Sequence, residues 1–176
     1  MILASHMIIG VAAARLVPNN PYLGFFLGIV SHFIVDAIPH SEYPLRSVIF
    51  DKDGRVVNMS WNKDFMLDLL KISADIIIGA GLVFIIFKTN INNDVHAILA
   101  GIAGGVFPDG LQFLYFKIKK EPLIAIQKFH QAIQAKNIFS AKGGSASGGK
   151  NKLYQGILMQ IIIAAAAIFA SMLLRN

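Results

Sequence analysis

The sequence predicts an all-α integral membrane protein with about five transmembrane helices. Of its 176 residues, 55% are hydrophobic and only 15% are charged, and the mean hydropathy is +0.60. Soluble domains carry charge on roughly a quarter of their residues, so this composition argues against a soluble globular class. The chain has no cysteine, which excludes disulfides and thiolate metal sites and leaves nitrogen and oxygen as metal donors.

Five apolar segments predict the spans: 2–17, 22–38, 65–87, 95–116 and 154–174. The second ends before Pro39, which cannot continue a helix hydrogen-bond ladder. The first is short for a crossing, but it lacks the basic start and the cleavage motif of a signal peptide, so we expect it to be retained. Within this single membrane domain we predict a helical hairpin over about 1–40, a second over about 65–116, and a last span over 154–174.

The segments between the spans have their own signatures. Asp53-Gly54 lies between β-prone runs and predicts a short cytoplasmic β-hairpin. Residues 117–142 begin with lysines and then place apolar residues at helical spacing, which predicts an amphipathic cytoplasmic segment. The Gly- and Ser-rich stretch 143–149 predicts a flexible linker.

Basic residues indicate the orientation of the chain. The net charge is +6, but the lysines lack the aromatic interleaving of a nucleic-acid surface, so we expect no nucleic-acid partner. Most of them fall in 41–64 and 117–153, against Arg15, Lys88 and Arg175 on the opposite side. The positive-inside rule then predicts a multi-pass protein of the inner (plasma) membrane with a cytoplasmic N-terminus.

Ionisable residues interrupt these apolar segments. His32, Asp36 and His40 recur every four residues at the end of the second segment. A charged residue in the middle of a membrane helix costs roughly 2.5 to 3.5 kcal/mol, so such residues usually have a function. The predicted topology places four more ionisable residues in the same half of the membrane or just below it: His6, Asp75, Asp109 and His130.

A weak internal repeat predicts that these residues converge. His6 and Gly10 are echoed by Asp75 and Gly79, each pair four residues apart. Gly28 and Asp36 are echoed by Gly101 and Asp109, each pair eight residues apart. Two parallel helical-hairpin repeats would place equivalent polar residues around one axis, and the glycines would let the helices approach closely.

Imidazole and carboxylate donors together suit zinc, and also manganese or iron. We therefore predict one or two divalent ions, zinc first, with His40 and His130 as further ligands or as acid and base. Simpler interpretations remain open: a buried His32–Asp36 pair, pairing of Asp75 with Lys71, and Asp109 as the cap of a helix that restarts after Pro108. The predicted metal ligands are His6, His32, Asp36, Asp75 and Asp109.

These motifs resemble a known family. Ser5-His6 followed by Gly10, then His32-x-x-x-Asp36 with Pro39-His40, then Phe107-Pro108-Asp109-Gly110 are similar to the bacterial inner-membrane metal-dependent hydrolases of the LexA-regulated type. The His-x-x-x-Asp spacing is also distantly similar to part of the metal site of the zinc-dependent phospholipase C and P1 nuclease group. The resemblance implies a metal-dependent hydrolase of phosphoesters. The chain departs from the soluble enzymes in lacking their glutamate ligand.

Three functions compete at this point. The first is a hydrolase facing the cytoplasm that acts on a lipid or lipid-linked phosphoester within the bilayer. The second is a small ion-coupled transporter in which the polar residues of both repeats bind a moving ion, and this function would call for a homodimer. The third is a non-catalytic membrane protein that is stabilised by buried metal.

Overall fold

The computed structural model describes residues 2–38, 40–42, 44–50, 52, 56–87, 91–134, 138–140 and 149–174. The described chain is mostly helical. Its helices are α1 (Leu3–Ala14), α2 (Pro21–Asp36), α3 (Lys63–Phe87), α4 (Ile91–Ile118), α5 (Leu123–Gln134) and α6 (Gly149–Leu173). The strands are β1 (His40–Glu42), β2 (Val48–Phe50), β3 (Val56–Met59) and β4 (Ile138–Ser140).

Helix α1 lies at the centre of the bundle. It packs against α2, α3, α4 and α6, and nearly all of its residues are buried. Met7, Val11, Val83 and Ile98 form the fully buried part of this core. A helix with one exposed face has one apolar stripe, whereas α1 is enclosed by other helices and is apolar on all sides apart from Ser5 and His6.

Three helices are long and apolar enough to cross a membrane, over Lys63–Phe87, Val95–Ile118 and Tyr154–Leu173. They coincide with three of the five predicted spans, and α3 and α6 expose most of their apolar side chains. Helices α1 and α2 have 12 and 16 residues and rise only about 18 and 24 Å, less than the roughly 30 Å of a hydrocarbon core. Their crossing of the membrane stays a prediction.

Glycines let α4 approach α1 and α2 at backbone distance. A Cβ atom added at Gly105 would overlap the carbonyl oxygen of His6, and one added at Gly104 would overlap that of Phe25. Gly28 faces Gly104 in the same way, at 3.0 Å from such a Cβ to its Cα. The predicted close approach at small residues is confirmed for these helices.

The packing of the helices does not show the two-fold relation that the predicted repeat implies. A two-fold relation between the repeats would require α2 to pack against α3 as closely as α1 packs against α4. Among the described residues α1 and α4 are in extensive contact, whereas α2 and α3 share little contact. The parallel repeat therefore stays a prediction.

The connecting segments hold the predicted β-hairpin and one pairing that the sequence did not predict. Strands β2 and β3 are antiparallel, which confirms the hairpin, while its turn residues Asp53 and Gly54 lie outside the described residues. The buried carboxylate of Asp68 fixes this hairpin to α3 by accepting hydrogen bonds from the backbone N–H and the hydroxyl of Ser47, at 2.7 and 2.8 Å. Strand β1 pairs in parallel with β4.

The long polar segment after α4 agrees in part with its prediction. Helix α5 lies within the predicted amphipathic segment 117–142 and packs against α2 and α4. Residues 143–148 of the predicted linker lie outside the described residues, and Gly149 begins α6. Because β4 pairs with β1, the chain between α5 and α6 returns to the end of α2.

Candidate metal centre

Buried histidines and carboxylates meet at the end of the bundle where α2 stops. Helix α1 contributes His6, α2 contributes His32 and Asp36, α4 contributes Asp109, α5 contributes His130, and β1 begins with His40. His32 and Asp36 share one face of α2 because they are four residues apart. Asp109 is the one partly exposed residue of these six: its side chain is 28% exposed, while the other five residues are at most 1% exposed.

The two carboxylate oxygens of Asp36 face different histidines. Oδ1 lies 3.2 Å from Nε2 of His6 and 3.9 Å from Nε2 of His40. Oδ2 lies 3.0 Å from Nε2 of His130 and 3.3 Å from Nε2 of His32. Asp36 is therefore the residue around which the other members of the cluster are arranged.

Backbone carbonyls fix which nitrogen of two of these rings carries the hydrogen. Nδ1 of His32 lies 2.8 Å from the carbonyl oxygen of Gly105, and Nδ1 of His40 lies 2.8 Å from that of Ile38. A carbonyl only accepts, so Nδ1 donates and a neutral ring presents the lone pair of Nε2. Both lone pairs then face the Asp36 carboxylate, which also only accepts. A cation, either a proton or a metal ion, is needed between each nitrogen and the carboxylate, and orientation of a histidine by a carbonyl is a common feature of metal ligands.

The rings of His6 and His130 both lie against the ring of His32. The His6 ring stacks on that of His32, with centroids 4.0 Å apart and planes at 23°. Within the described part of the chain neither nitrogen of His6 forms a hydrogen bond, although the ring is buried. Nε2 of His130 lies 3.4 Å from Nε2 of His32 and 3.8 Å from Oδ1 of Asp109. Two imidazolium rings at this distance would repel each other, whereas two neutral rings can share an ion.

The separations also fit a metal ion in size. Donor atoms about 2.0 to 2.2 Å from a tetrahedral zinc ion lie about 3.3 to 3.6 Å from one another. Two overlapping groups have all donor atoms within 4.8 Å: His6 with His32 and Asp109, and His32 with Asp36 and His130. Two carboxylates among neutral imidazoles carry a charge of −2, which one divalent cation neutralises and which would otherwise be costly to bury.

Asp75, a predicted ligand, belongs to α3, and its carboxylate contacts the N-terminus of α1. Its Oδ2 accepts from the N–H of Leu3 at 2.7 Å, and its Oδ1 accepts from that of Ala4 at 3.3 Å. Ile2, at the N-cap position, has no side chain that can accept these bonds, so α3 supplies the cap. Neither donor group includes Asp75. The simpler interpretation was that Asp75 pairs with Lys71. In the structure Lys71 pairs with Asp68 instead, at 3.3 Å.

Asp75→Ala separates capping from metal ligation. We expect the substitution to leave two N–H groups of α1 without their acceptor, to destabilise the protein by about 0.5 to 2 kcal/mol and to leave the bound metal unchanged. Thermal unfolding and elemental analysis of the purified variant measure the two effects. Loss of metal from folded Asp75→Ala protein would instead show that Asp75 is a ligand.

Helix α4 continues through Pro108, with Asp109 inside it. The interpretation of Asp109 as the cap of a restarted helix is therefore wrong. Its carboxylate instead lies 3.8 Å from Nε2 of both His32 and His130. Among the predicted site residues, the structure thus brings together His6, His32, Asp36, His40, Asp109 and His130.

Sequence reasoning missed the amides around this cluster. Nε2 of Gln134 donates to Oδ2 of Asp36 at 3.3 Å, and Nε2 of Gln160 on α6 donates to the carbonyl of Ser41, next to His40, at 2.6 Å. Gln127 is buried one turn before His130. A signal was present in α5, because Gln127, His130 and Gln134 follow the spacing of one helix face.

No protein-family model, curated protein or solved structure matches this chain. The fold and the site define a helical protein with long apolar helices and a buried histidine and carboxylate cluster. Its function is therefore inferred from the chemistry of these residues.

Proposed function

We propose that this protein is a membrane-embedded, metal-dependent hydrolase of a phosphoester in a lipid or lipid-linked substrate. The observation that carries the proposal is the convergence of histidine Nε2 atoms on the carboxylate of Asp36. In His32 and His40 the Nδ1 hydrogen is donated to a backbone carbonyl, which leaves Nε2 to face that carboxylate. In the proposed topology the chain crosses the inner membrane five times and the cluster opens toward the cytoplasm.

The donor set assigns the roles. His32, Asp36 and His130 would hold the ion, and His6 and Asp109 would complete its environment, because their donor atoms lie within 4.8 Å of one another in two overlapping groups. Nitrogen and oxygen donors without sulfur favour zinc, with manganese or iron as substitutes. Such an ion supplies a water that is acidic near neutral pH and stabilises charge on a phosphoryl oxygen. His40, at 3.9 Å from Oδ1 of Asp36, is placed for proton transfer beside it.

The exposure of Asp109 supports access to the ion. A site that only stabilises the fold is closed by its ligands, whereas a catalytic site keeps a position open to substrate. Asp109 is the exposed edge of the cluster, and it follows Phe107 and Pro108 on α4. Substrate would therefore enter beside α4.

Metal analysis and turnover of the purified protein test the proposal together. We expect at least one zinc, manganese or iron per chain, and hydrolysis of a synthetic lipid phosphoester: an alcohol and a phosphomonoester from a phosphodiester, or an alcohol and inorganic phosphate from a phosphomonoester. Stripping the ion with a chelator should stop release, and zinc should restore it. A stoichiometric ion without turnover of any phosphoester would contradict the hydrolase, and absence of metal from folded protein would contradict the site.

The deep burial of the cluster favours one second candidate, a non-catalytic protein stabilised by metal. Five of its six residues are at most 1% exposed. Under either function chelation should lower the melting temperature, by on the order of 10 °C if the ion is present at about a thousand times its Kd. Thermal unfolding with and without chelator checks this. An unchanged melting temperature in protein shown to have lost its ion would contradict both functions.

A further inference from the structure

An apolar groove opens beside the cluster. It has a volume of about 390 Å³ and lies between α2, α4 and α5. Its walls carry no charged side chain, and the volume is within the range of roughly 300 to 1,000 Å³ that small-molecule sites occupy. The lining residues are Ile29, Phe33, Phe107, Pro108, Leu111, Ala125, Ile126 and Phe129.

The groove and the cluster share a wall. The ring of Phe33 lies edge-on to His32 and His130, with centroids 5.4 and 5.6 Å away, and edge-on to Phe129 at 4.9 Å. Pro108 lines the groove and is followed directly by Asp109, the exposed member of the cluster. A chain lying in the groove would therefore place its polar end at the opening of the metal centre.

Gln127 lies on α5 between the groove-lining Ile126 and the cluster residue His130. It is 3% exposed, and within the described part of the chain neither its Nε2 nor its Oε1 has a hydrogen-bond partner. It lies three residues before His130, on the same face of α5, while Ile126 and Phe129 line the groove. A buried amide without partners is costly in a folded protein and is expected where a ligand supplies the missing bonds.

The charge of the segment that joins α4 to α5 indicates the charge of the occupant's polar end. The stretch from the end of α4 to α5 exposes Lys117, Lys119, Lys120 and Lys128 against a single acidic residue, Glu121. A basic segment that joins two of the helices forming the groove favours an anionic occupant. A phosphate group is anionic, and its oxygens can also bind a divalent ion held by imidazole and carboxylate.

We propose that the groove binds one hydrocarbon chain of an anionic lipid phosphoester, whose headgroup is held by the amide of Gln127 at the metal centre. The inference rests on the proposed function and names the substrate class of the same site. The occupant is a membrane lipid, because the walls are apolar, helices α3 and α6 of the same bundle expose apolar side chains as lipid-facing helices do, and the segment that joins α4 to α5 is basic.

Photolabelling in nanodiscs tests the chain subsite. The probe is phosphatidic acid with a diazirine near the end of one acyl chain, at a low fraction in phosphatidylcholine. We expect adducts at 107–111 and 125–129, and Ala125→Trp should reduce them at least ~fivefold by filling the groove. Ala166→Trp, on an exposed alanine of α6 outside the groove, should have no effect. Adducts spread over α3 and α6, or unaffected by Ala125→Trp, would overturn the subsite. Mapping on the unmodified protein decides the question even if Ala125→Trp fails to fold.

Gln127→Leu tests the headgroup contact. Removing an amide that has no partner should leave the melting temperature unchanged or raise it, because it removes the cost of burying an unsatisfied polar group. Labelling by the phosphatidic acid probe should nevertheless fall ~fivefold, while labelling by a diacylglycerol with the same diazirine chain should not change. Equal effects on both probes, or none on either, would overturn the role of Gln127.

Labelling does not require turnover, so the two proposals can fail separately. Adducts in the groove without phosphoester hydrolysis would sustain the lipid site and remove the hydrolase. Hydrolysis with adducts spread over the outer helices would sustain the hydrolase and remove the groove as its substrate site.

Discussion

Asp36→Asn should abolish metal retention. Asparagine has the size of aspartate, but it removes the negative charge and one of the two oxygens that face His6, His32 and His130. We expect the affinity for zinc to fall by more than about 100-fold, beyond the 10- to 100-fold typical of residues behind the ligands. Elemental analysis after exhaustive dialysis measures the loss, and phosphoester hydrolysis should fall with it.

Asp64→Asn is the matched control, because it makes the same chemical change in the first turn of α3, away from the cluster. We expect it to retain the full metal content. Retention of stoichiometric metal by Asp36→Asn, in protein that elutes as the parent does, would refute the assignment of Asp36 as the centre of the site.

Gly105→Ala should disrupt both the bundle and the site. The added methyl would occupy the position of the His6 carbonyl oxygen, so α1 and α4 must move apart. Overpacking of this kind costs about 1 to 3 kcal/mol. The displacement also moves His6 and the carbonyl of Gly105, which accepts from Nδ1 of His32. We expect a lower melting temperature and a weaker metal affinity in the same variant.

Two other glycines provide controls with the same substitution. A Cβ at Gly81 or Gly110 would meet nothing within 4 Å in the described structure. Gly81→Ala and Gly110→Ala should therefore be neutral or stabilising by up to about 1 kcal/mol through helix propensity. An equal effect of all three substitutions on metal affinity would contradict the account of Gly105. Thermal unfolding and zinc titration compare them.

Local patterns predicted the long helices and the ligand face of α2. Apolar runs identify α3, α4 and α6, because about 20 consecutive, mostly apolar residues are what a helix needs in order to cross a bilayer. His32 and Asp36 could be paired from their spacing alone, since residues four apart share a helix face. The first segment was predicted to be short for a crossing, and α1 is shorter still: Leu16 and Val17 extend the apolar pattern past Arg15, whereas the helix ends at Ala14.

The rest of the site depends on contacts between distant parts of the chain. His130 reaches Asp36 across 94 residues of sequence, and Asp75 reaches Leu3 across 72. Asp36 and Asp75 both interrupt apolar helices, so sequence alone does not show that Asp75 caps a helix while Asp36 lies at the centre of the cluster. The β1–β4 pairing, which brings 138–140 beside 40–42, likewise leaves no local signature in its three-residue strands.

Anomalous diffraction at the zinc edge, from crystals grown without a chelator, tests the central claim most directly. The account predicts a peak about 2.0 to 2.2 Å from Nε2 of His32, from Nε2 of His130 and from a carboxylate oxygen of Asp36. A map of ordered side chains with no peak at any transition-metal edge, or with the peak held by other residues, would contradict it.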